Sequence, residues 1–398
     1  MSNRDRSDLV YTSAWPEVVA VETSSRIPRF WVVAWLSGLN GKALAFNTLR
    51  PRLRHVGALY RFCDQHFGEK SLDEAISNLD AATLQRQLEH FHLHLTAEDA
   101  PSSETKQRWD AAKTFLLDVL AHFSVADESV ARLRSFIRNI KVRKSRKKGI
   151  KFGRALPSRT LFELLEIARP DSPRNPFLGE STRWRNWLIV NLLLLLGLRR
   201  GELLLLTIDA LKQDVDPETG QLVCWLDVTT VDDEDERSTK PSIKTETSHR
   251  QIPVSEEISE LYERYVTDFR EQSDSHPFLM TARGGSALSA ESVNAMLASM
   301  SSELGRDATD QFSKRTGGKK RISPHDLRHT CATAMFRAFL KVDNNRELSM
   351  QRMRAFFGWS ADSDMPEHYA RSAINDDLLK TWRTLFQRQL DQIIGLST

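Results

Sequence analysis

The stretch Ser323-Pro324-His325-Asp326-Leu327-Arg328-His329-Thr330 carries the most informative pattern in the chain. Its proline suits the first turn of a helix, so the residues that follow are predicted to be helical. His325 and Arg328 are three residues apart and therefore share one face of that helix. An arginine offers a planar fork of donors to two phosphate oxygens, and an imidazole can hydrogen-bond a third oxygen or move a proton. The pair predicts a phosphate site, although a helix with a satisfied histidine and a solvated arginine would give the same pattern.

Four companion motifs supply the residue types that such a site still lacks. In chain order they are Leu196-Gly197-Leu198-Arg199-Arg200-Gly201-Glu202, Ile243-Lys244-Thr245 ahead of Arg250-Gln251-Ile252-Pro253-Val254, Phe357-Gly358-Trp359, and Glu367-His368-Tyr369-Ala370-Arg371. This order of G-L-R-x-G-E, a lysine before a strand, H-x-x-R, G-W and a late tyrosine resembles the tyrosine recombinase (phage integrase) family. The resemblance runs from about Pro157 onward, and it is specific because five separated elements agree in order.

The resemblance implies a set of catalytic residues with distinct roles. They are Arg199, Lys244, His325, Arg328, Trp359 and Tyr369, with Glu202 in support. The two arginines would stabilise charge on the phosphate, His325 would hydrogen-bond or transfer a proton, and Lys244 would protonate the leaving oxygen. Trp359 stands where the family has His or Trp, ten residues before Tyr369 and so about one residue farther than usual. Lys240 is an alternative to Lys244, and either could instead be a solvated loop lysine.

The activity that the resemblance implies is cleavage and rejoining of double-stranded DNA through a 3′-phosphotyrosine on Tyr369. The covalent link keeps the phosphodiester energy, so we expect no cofactor. We expect no metal either, because His329 and His368 beside paired arginines would repel a cation. The chain is thus predicted to be a site-specific recombinase or integrase of a mobile genetic element. A type IB topoisomerase-like enzyme, or a non-catalytic architectural DNA-binding protein on the same fold, remains an alternative.

Composition agrees with a soluble protein of more than one domain. The chain has 398 residues, 40% of them hydrophobic and 27% charged. Its most apolar run, Trp187 to Leu198, contains Asn191 and is shorter than the ~20 residues that a bilayer requires, so no membrane contact is expected. The three cysteines, Cys63, Cys224 and Cys331, are scattered and lack metal-ligand spacing. A reducing cytoplasm, with association to the nucleoid, is the predicted location.

Positive charge is concentrated between the two halves of the chain. From Arg132 to Arg159 there are twelve Lys or Arg and no Asp or Glu, while the whole chain has a net charge of +3. A field of this size suits a polyanion, because each cation placed at a phosphate releases counterions. The predicted DNA contacts here are Arg143, Lys144, Arg146, Lys147 and Lys148. A solvated basic loop or a nuclear-localisation run would have a similar composition.

The N-terminal part is predicted to be helical after residues 1–25, which are expected to be an extended arm or partly disordered. The expected helices cover residues 27–39, 47–67, about 81–95, and 102 or 103 to 123. The aromatic residues of the first, Phe30, Trp31 and Trp35, are assigned to the core, with a base-stacking platform as the alternative. The second has an apolar face and an opposite face with arginines, of which Arg50 and Arg54 are predicted DNA contacts beside Arg52 and Arg61.

The predicted fold class is mostly α with a small antiparallel β-sheet, arranged as a two-domain DNA clamp. Residues 1–130 would form an all-helical core-binding domain, residues 131–157 a basic linker, and residues 158–398 an α+β catalytic domain. Strands are expected at residues 222–230 and 248–254, and the acidic run Asp232 to Glu236 between them is expected to point away from DNA. The apolar helical pattern from Leu378 onward predicts a tail helix. It would either fold back on its own domain or dock on a neighbouring protomer in a tetramer on two DNA sites, with accessory proteins as further partners.

Overall fold

The computed structural model describes residues 20–21, 25–39, 46–97, 102–121, 123, 128–142, 155–230, 235, 237, 240–243, 246–273 and 275–370. The chain divides into two compact units, residues 1–150 and 151–398. The fold class is confirmed: the described residues form many helices and a single three-stranded antiparallel sheet. Among these residues no helix is long and apolar enough to cross a membrane.

The first unit is built from helices. They are α1 (Phe30–Ala34), continued by a π-helical turn (Trp35–Leu39), α2 (Phe46–Phe67), α3 (Ser71–Ser77), α4 (Ala81–Thr96), α5 (Ser103–Ala121) and α6 (Glu128–Asn139). Trp35 is fully buried and its indole nitrogen donates to Asp118 Oδ2 at 2.9 Å, as expected for a core aromatic. Phe30 was also assigned to the core, but 68% of it is exposed. It is the first residue of α1, and the buried residue of this short helix is Val32.

The basic stretch begins in a helix and not in a linker. Residues 131–139 belong to α6, whose Val130, Leu133 and Ile137 are at most 1% exposed. The guanidinium of Arg134 donates to the carbonyls of Leu120 and Phe123. The linker start predicted at residue 131 is therefore too early, because the apolar positions at helical spacing outweigh the local charge. The cations at 143–148 lie outside the described residues.

The second unit contains α7 (Ser158–Ala168), α8 (Glu180–Leu195), α9 (Arg200–Leu205), α10 (Glu256–Arg264), α11 (Ala290–Ser302), α12 (Arg306–Thr316), α13 (Pro324–Asp343) and α14 (Arg346–Phe357). Helix α8 lies in the middle of the core, with Leu188 to Leu193 almost entirely buried. A helix that is apolar on all sides belongs in such a position. It brings its C-terminal end to the start of α9 and to α13.

The sheet has the order β1-β2-β3, with β1 (Leu211–Val215), β2 (Leu222–Val228) and β3 (Arg250–Val254). The predicted pairing of the second and third strands is confirmed, with Leu226 opposite Ile252. Strand β1 was not predicted, because its side chains are partly or largely exposed and do not alternate. Of the acidic run, Asp235 is described, and its carboxylate pairs at 2.6 Å with Arg237, which also donates to the carbonyls of Leu204 and Leu288. Arg237, held by Asp235, thus ties this loop to Leu204 and Leu288.

Candidate active site

Arg199 is placed by a sharp end to α8. Gly197 has φ +58°, a left-handed conformation that suits glycine. A Cβ at Gly197 would collide with the ring of Phe357 and lie 3.0 Å from Cys331 Sγ, so this motif glycine is also required by close packing. The chain then turns into α9, with Arg199 as its N-cap residue.

Glu202 joins the positive charges of the site. Its carboxylate is 1% exposed and accepts from the backbone and the guanidinium of Arg199 at 2.8 and 2.5 Å. It also pairs with Arg250 at 3.1 Å and with Arg328 at 3.7 Å. Burial raises the pKa of Glu202, but Arg250, Arg328 and Arg199 outweigh it and hold the pKa below its ordinary value. Glu202 is therefore an anion shared by arginines from three parts of the chain.

Arg328 is fixed from behind by main-chain groups. Its guanidinium donates to the carbonyl of Gly197 and, at 2.9 Å, to that of Phe357. Burial and next the positive charge of Arg199 lower the pKa of Arg328 to about 10. At neutral pH it stays protonated, as a phosphate-binding group must.

Helix α13 presents Arg328 and His325 as the sequence predicted. Pro324 occupies the first turn, and the Asp326 carboxylate accepts from the backbone nitrogen of Ser323 at 2.9 Å. Asp326 is fully buried and is also held by Lys319 Nζ at 2.8 Å. The cap fixes the start of the helix and hence the direction of its first turns.

A cavity of about 370 Å³ lies where these elements meet. It is lined by Leu198, Arg199, Arg200, Asn294, Ser323, Pro324, His325 and Arg328. Three of the predicted catalytic residues, Arg199, His325 and Arg328, thus converge on one space. Arg200 lines the same cavity, so it is available to an anion bound there. The cavity offers guanidinium and imidazole donors from two helices to one anion.

Tyr369 and Trp359 form an aromatic stack beside this cavity. Their rings are 5.4 Å apart and nearly parallel at 7°, and Trp359 stacks in turn on Phe357 at 4.8 Å. The Arg328 guanidinium carbon lies 5.8 Å from the Trp359 ring. Tyr369 is 1% exposed. The stack brings the predicted nucleophile next to Arg328, with its ring buried.

Lys244 lies outside the described residues, but the chain on both sides of it is tied to the site. A Cβ at Gly201 would lie 3.0 Å from the carbonyl oxygen of Ser242. After the gap, Ser248 Oγ accepts from the guanidinium of Arg199 at 2.9 Å and donates to the carbonyl of Gly358 at 3.4 Å. The loop that carries Lys244 therefore starts and ends against α9.

Arg250 is a member of the site that the sequence patterns did not single out. It is buried on β3 and donates to Glu202 Oε2 at 3.1 Å, to the Phe356 carbonyl at 2.8 Å and to the Ser248 carbonyl at 2.8 Å. It therefore joins the sheet, α9 and the end of α14. The sequence shows Arg250 in an R-x-I-P pattern on a predicted strand. Its partner, Glu202, is 48 residues away in the chain, so no local pattern identifies their contact.

Helix α2 carries the predicted DNA contacts of the first unit that the structure describes. Arg50 and Arg54 are exposed on α2, and Arg61 at similar angular spacing is exposed as well. Arg52 is only half exposed and does not share their face. Arg143, Lys144, Arg146, Lys147 and Lys148 lie outside the described residues.

Residues 163–375 match the phage integrase family. The match covers more than half of the chain, and the protein belongs to this family. The matched range contains every residue of the predicted catalytic set. A comparison with curated proteins gave no match.

Solved structures of recombinases are similar to this chain at low identity. A XerA recombinase shares 16% identity with a TM-score of 0.35, covering 86% of this chain and 94% of the other. The Tn1549 transposon integrase in complex with a circular intermediate DNA shares 14%, TM-score 0.41, over 79% and 94%. XerH recombinase in a post-cleavage complex with a palindromic difH substrate shares 16%, TM-score 0.48, over 85% and 80%.

Proposed function

We propose that this protein is a site-specific DNA recombinase that cleaves and rejoins strands through a 3′-phosphotyrosine on Tyr369. The observation that carries the proposal is the cavity where Arg199, His325 and Arg328 converge, with Tyr369 packed beside it. Guanidinium groups from two helices suit the non-bridging oxygens of one phosphodiester. Membership of the phage integrase family supports the same reaction class.

The proposed step is an in-line transfer of one phosphoryl group. Tyr369 Oη bonds to phosphorus, the bond from phosphorus to the 5′ oxygen breaks, and the phenolic proton passes to a base. A phenol is mostly protonated at pH 7, so the base and the cationic field are both required. His325 is the proposed acceptor, and Lys244 the proposed donor to the leaving 5′ oxygen. The reverse sequence rejoins the strand, because the energy of the phosphodiester is kept in the protein link.

Arg199 and Arg328 would stabilise the charge that grows on the phosphate oxygens. Removing one such preorganised donor from an enzyme typically costs about 10²–10³ in rate. Both guanidinium groups are held by Glu202, so they need little rearrangement when substrate binds. Tyr369 is 1% exposed, so its segment would have to shift before its hydroxyl attacks a phosphate.

Double-stranded DNA is the proposed partner, held by the second unit, the exposed arginines of α2 and the basic stretch after α6. The similar Tn1549 integrase and XerH structures contain DNA. The protein is further proposed to assemble as a tetramer on two DNA sites, with exchange of the tail helix between protomers. Its proposed origin is a mobile genetic element.

The decisive experiment is incubation of the protein with the DNA that flanks its gene, followed by detection of a protein–DNA covalent adduct on denaturing gels. A site-specific adduct at a 3′ phosphate is the expected result. Relaxation of any supercoiled DNA without a preferred site would instead indicate a topoisomerase. Specific binding without any adduct would indicate the architectural alternative.

Cleavage of a suicide substrate is expected to proceed at an unchanged rate in excess EDTA. The arginines beside the cavity supply the electrostatic stabilisation that a divalent ion supplies in other phosphoryl-transfer enzymes. Rates should be compared with and without chelator, after dialysis and after addition of Mg²⁺. A rate that falls on chelation and returns with Mg²⁺ would contradict the proposed mechanism.

Replacing Lys144, Arg146, Lys147 and Lys148 together by alanine is expected to weaken DNA binding equally for specific and random sequences. The slope of log K against log salt should decrease by about 0.9 for each phosphate that the variant no longer neutralises. Binding titrations at several salt concentrations measure this slope. The matched control is replacement of exposed Arg132, which pairs with Glu128 at 2.6 Å. An unchanged slope in the quadruple variant would mean that the stretch does not contact DNA.

A further inference from the structure

His329 follows Arg328 on α13 and has no role in the mechanism described above. It is 4% exposed, although histidine is commonly found nearer the surface. Its Nε2 lies 2.9 Å from Nε2 of His325, one helical turn earlier. The two rings are 4.2 Å apart and nearly perpendicular at 76°. This is a hydrogen bond between two imidazoles, one of which lines the cavity.

A hydrogen bond between two ring nitrogens constrains both rings. One nitrogen must carry the proton and the other must present its lone pair, because two N–H groups cannot face each other at this distance. Nε2 of His325 is therefore engaged by His329. Nδ1 is the ring nitrogen of His325 that does not take part in this contact.

His329 also packs against the proposed nucleophile. Its ring lies 5.1 Å from the ring of Tyr369 and 6.1 Å from that of His368. Tyr369 also stacks on Trp359. His329 thus packs between the cavity histidine and the tyrosine that must reach the same phosphate.

We propose that His329 is a positioning residue for strand cleavage, which by binding Nε2 of His325 presents Nδ1 of His325 to the phosphate and to the tyrosine proton. The proposal rests on the function proposed above. When Nδ1 accepts the proton of Tyr369 Oη, His325 becomes an imidazolium and donates through Nε2 to His329. Hydrogen bonds with an ionised partner are about twice as strong as neutral ones, so this contact stabilises the protonated state.

Two substitutions of His329 separate the hydrogen bond from the packing. His329→Phe keeps a flat ring beside Tyr369 but removes the nitrogen, and His329→Gln keeps an amide at the Nε2 position that can donate or accept. Single-turnover cleavage at saturating DNA is expected to slow by about tenfold or more in His329→Phe, the effect of removing one hydrogen bond. His329→Gln should stay within about threefold of the unchanged protein, and DNA affinity should be the same in all three.

Either of two kinetic results would overturn the proposal. If His329→Phe cleaves as fast as the unchanged protein, the hydrogen bond is not used. If His329→Gln is as slow as His329→Phe, then the amide does not restore the function and the role is not positioning through this bond.

A spectroscopic measurement on the unmodified protein tests the contact without any catalysis. With ¹⁵N-labelled histidine, a scalar coupling should be observed between Nε2 of His325 and Nε2 of His329 across the hydrogen bond. His276 is an internal reference, because its Nδ1 accepts from the Phe278 backbone at 3.2 Å and its Nε2 therefore donates to the Gly285 carbonyl at 3.0 Å. In His329→Phe the ¹⁵N shifts of His325 should move toward a mixture of tautomers while those of His276 stay constant.

The NMR measurement and the assay for the covalent adduct together distinguish failure of this inference from failure of the proposed function. Absence of the coupling, or His325 shifts that do not change in His329→Phe, would overturn the inference even in an active recombinase. A coupling present in a protein that forms no adduct with any DNA would leave the contact standing and overturn the proposed function.

Discussion

Tyr369→Phe is expected to abolish the covalent protein–DNA adduct while leaving DNA affinity within about twofold. The substitution removes one hydroxyl, and loss of a nucleophile typically costs at least about a thousandfold in rate. Phenylalanine can keep the stack on Trp359 at 5.4 Å and the contact with His329, so the fold around the site should be preserved. Adduct formation on a suicide substrate and binding by titration measure the two quantities separately.

The matched control for this variant is Tyr262→Phe. Tyr262 is also a buried tyrosine of the second unit, and its hydroxyl donates to the Thr207 carbonyl at 2.6 Å. Its loss removes one structural hydrogen bond and should leave adduct formation intact. An adduct that persists in Tyr369→Phe and disappears in Tyr262→Phe or His368→Phe would assign the nucleophile elsewhere.

The parts of the site that the sequence predicted depend on short-range chemistry. The position of His325 and Arg328 on one helix face follows from a proline, a Ser323–Asp326 cap and a spacing of three, all within six residues. The end of α8 at Gly197 follows in the same way from one residue that tolerates positive φ. Strands β2 and β3 were predicted from β-branched and aromatic residues, and their pairing is confirmed.

The parts of the site and of the fold that the sequence did not predict depend on contacts between distant segments. In the sequence, Arg250 has the pattern of an ordinary strand residue. Only in the folded chain does its guanidinium lie 3.1 Å from Glu202 Oε2 and 2.8 Å from the Phe356 carbonyl oxygen. The burial of His329 against Tyr369 is likewise a property of the packed second unit. Helix α6 was hidden because its three cations dominate a local composition whose apolar residues pack only in the folded first unit. Local patterns thus predicted the residues that line the cavity and the supporting Glu202. They missed Arg250 and the packing of His329, which depend on contacts between distant segments.

Glu202→Gln is expected to lower the free energy of unfolding and to slow cleavage at the same time. Removing one member of a buried ion pair leaves the others uncompensated, with a cost of about 3 kcal/mol. Here three guanidinium groups, those of Arg199, Arg250 and Arg328, would lose their shared anion. Their mutual repulsion should displace Arg199 and Arg328 from the phosphate, and single-turnover cleavage should fall by about a hundredfold or more.

The pH dependence of stability provides a second readout for this variant. The pKa of Glu202 is lower in the folded chain than its ordinary value of 4.5, so the folded state favours the ionised carboxylate. Its contribution is fully present above that ordinary value and is lost as pH falls through the lowered pKa of the folded state. Chemical denaturation between pH 7 and pH 3 should therefore show a steeper loss of stability in the unchanged protein than in Glu202→Gln.

Glu163→Gln is the control that separates the site from a general effect of removing a paired carboxylate. Glu163 also has a lowered pKa, caused first by the Gly305 backbone hydrogen bond, and it pairs with Arg174 at 3.3 Å in the same unit. This variant should lose some stability and keep the cleavage rate, because neither Arg174 nor Arg159, the two arginines paired with Glu163, lines the cavity. If Glu202→Gln unfolds at the same denaturant concentration as the unchanged protein at pH 7 and cleaves as fast, then Glu202 does not hold the arginines, and the electrostatic account of the cavity fails with it.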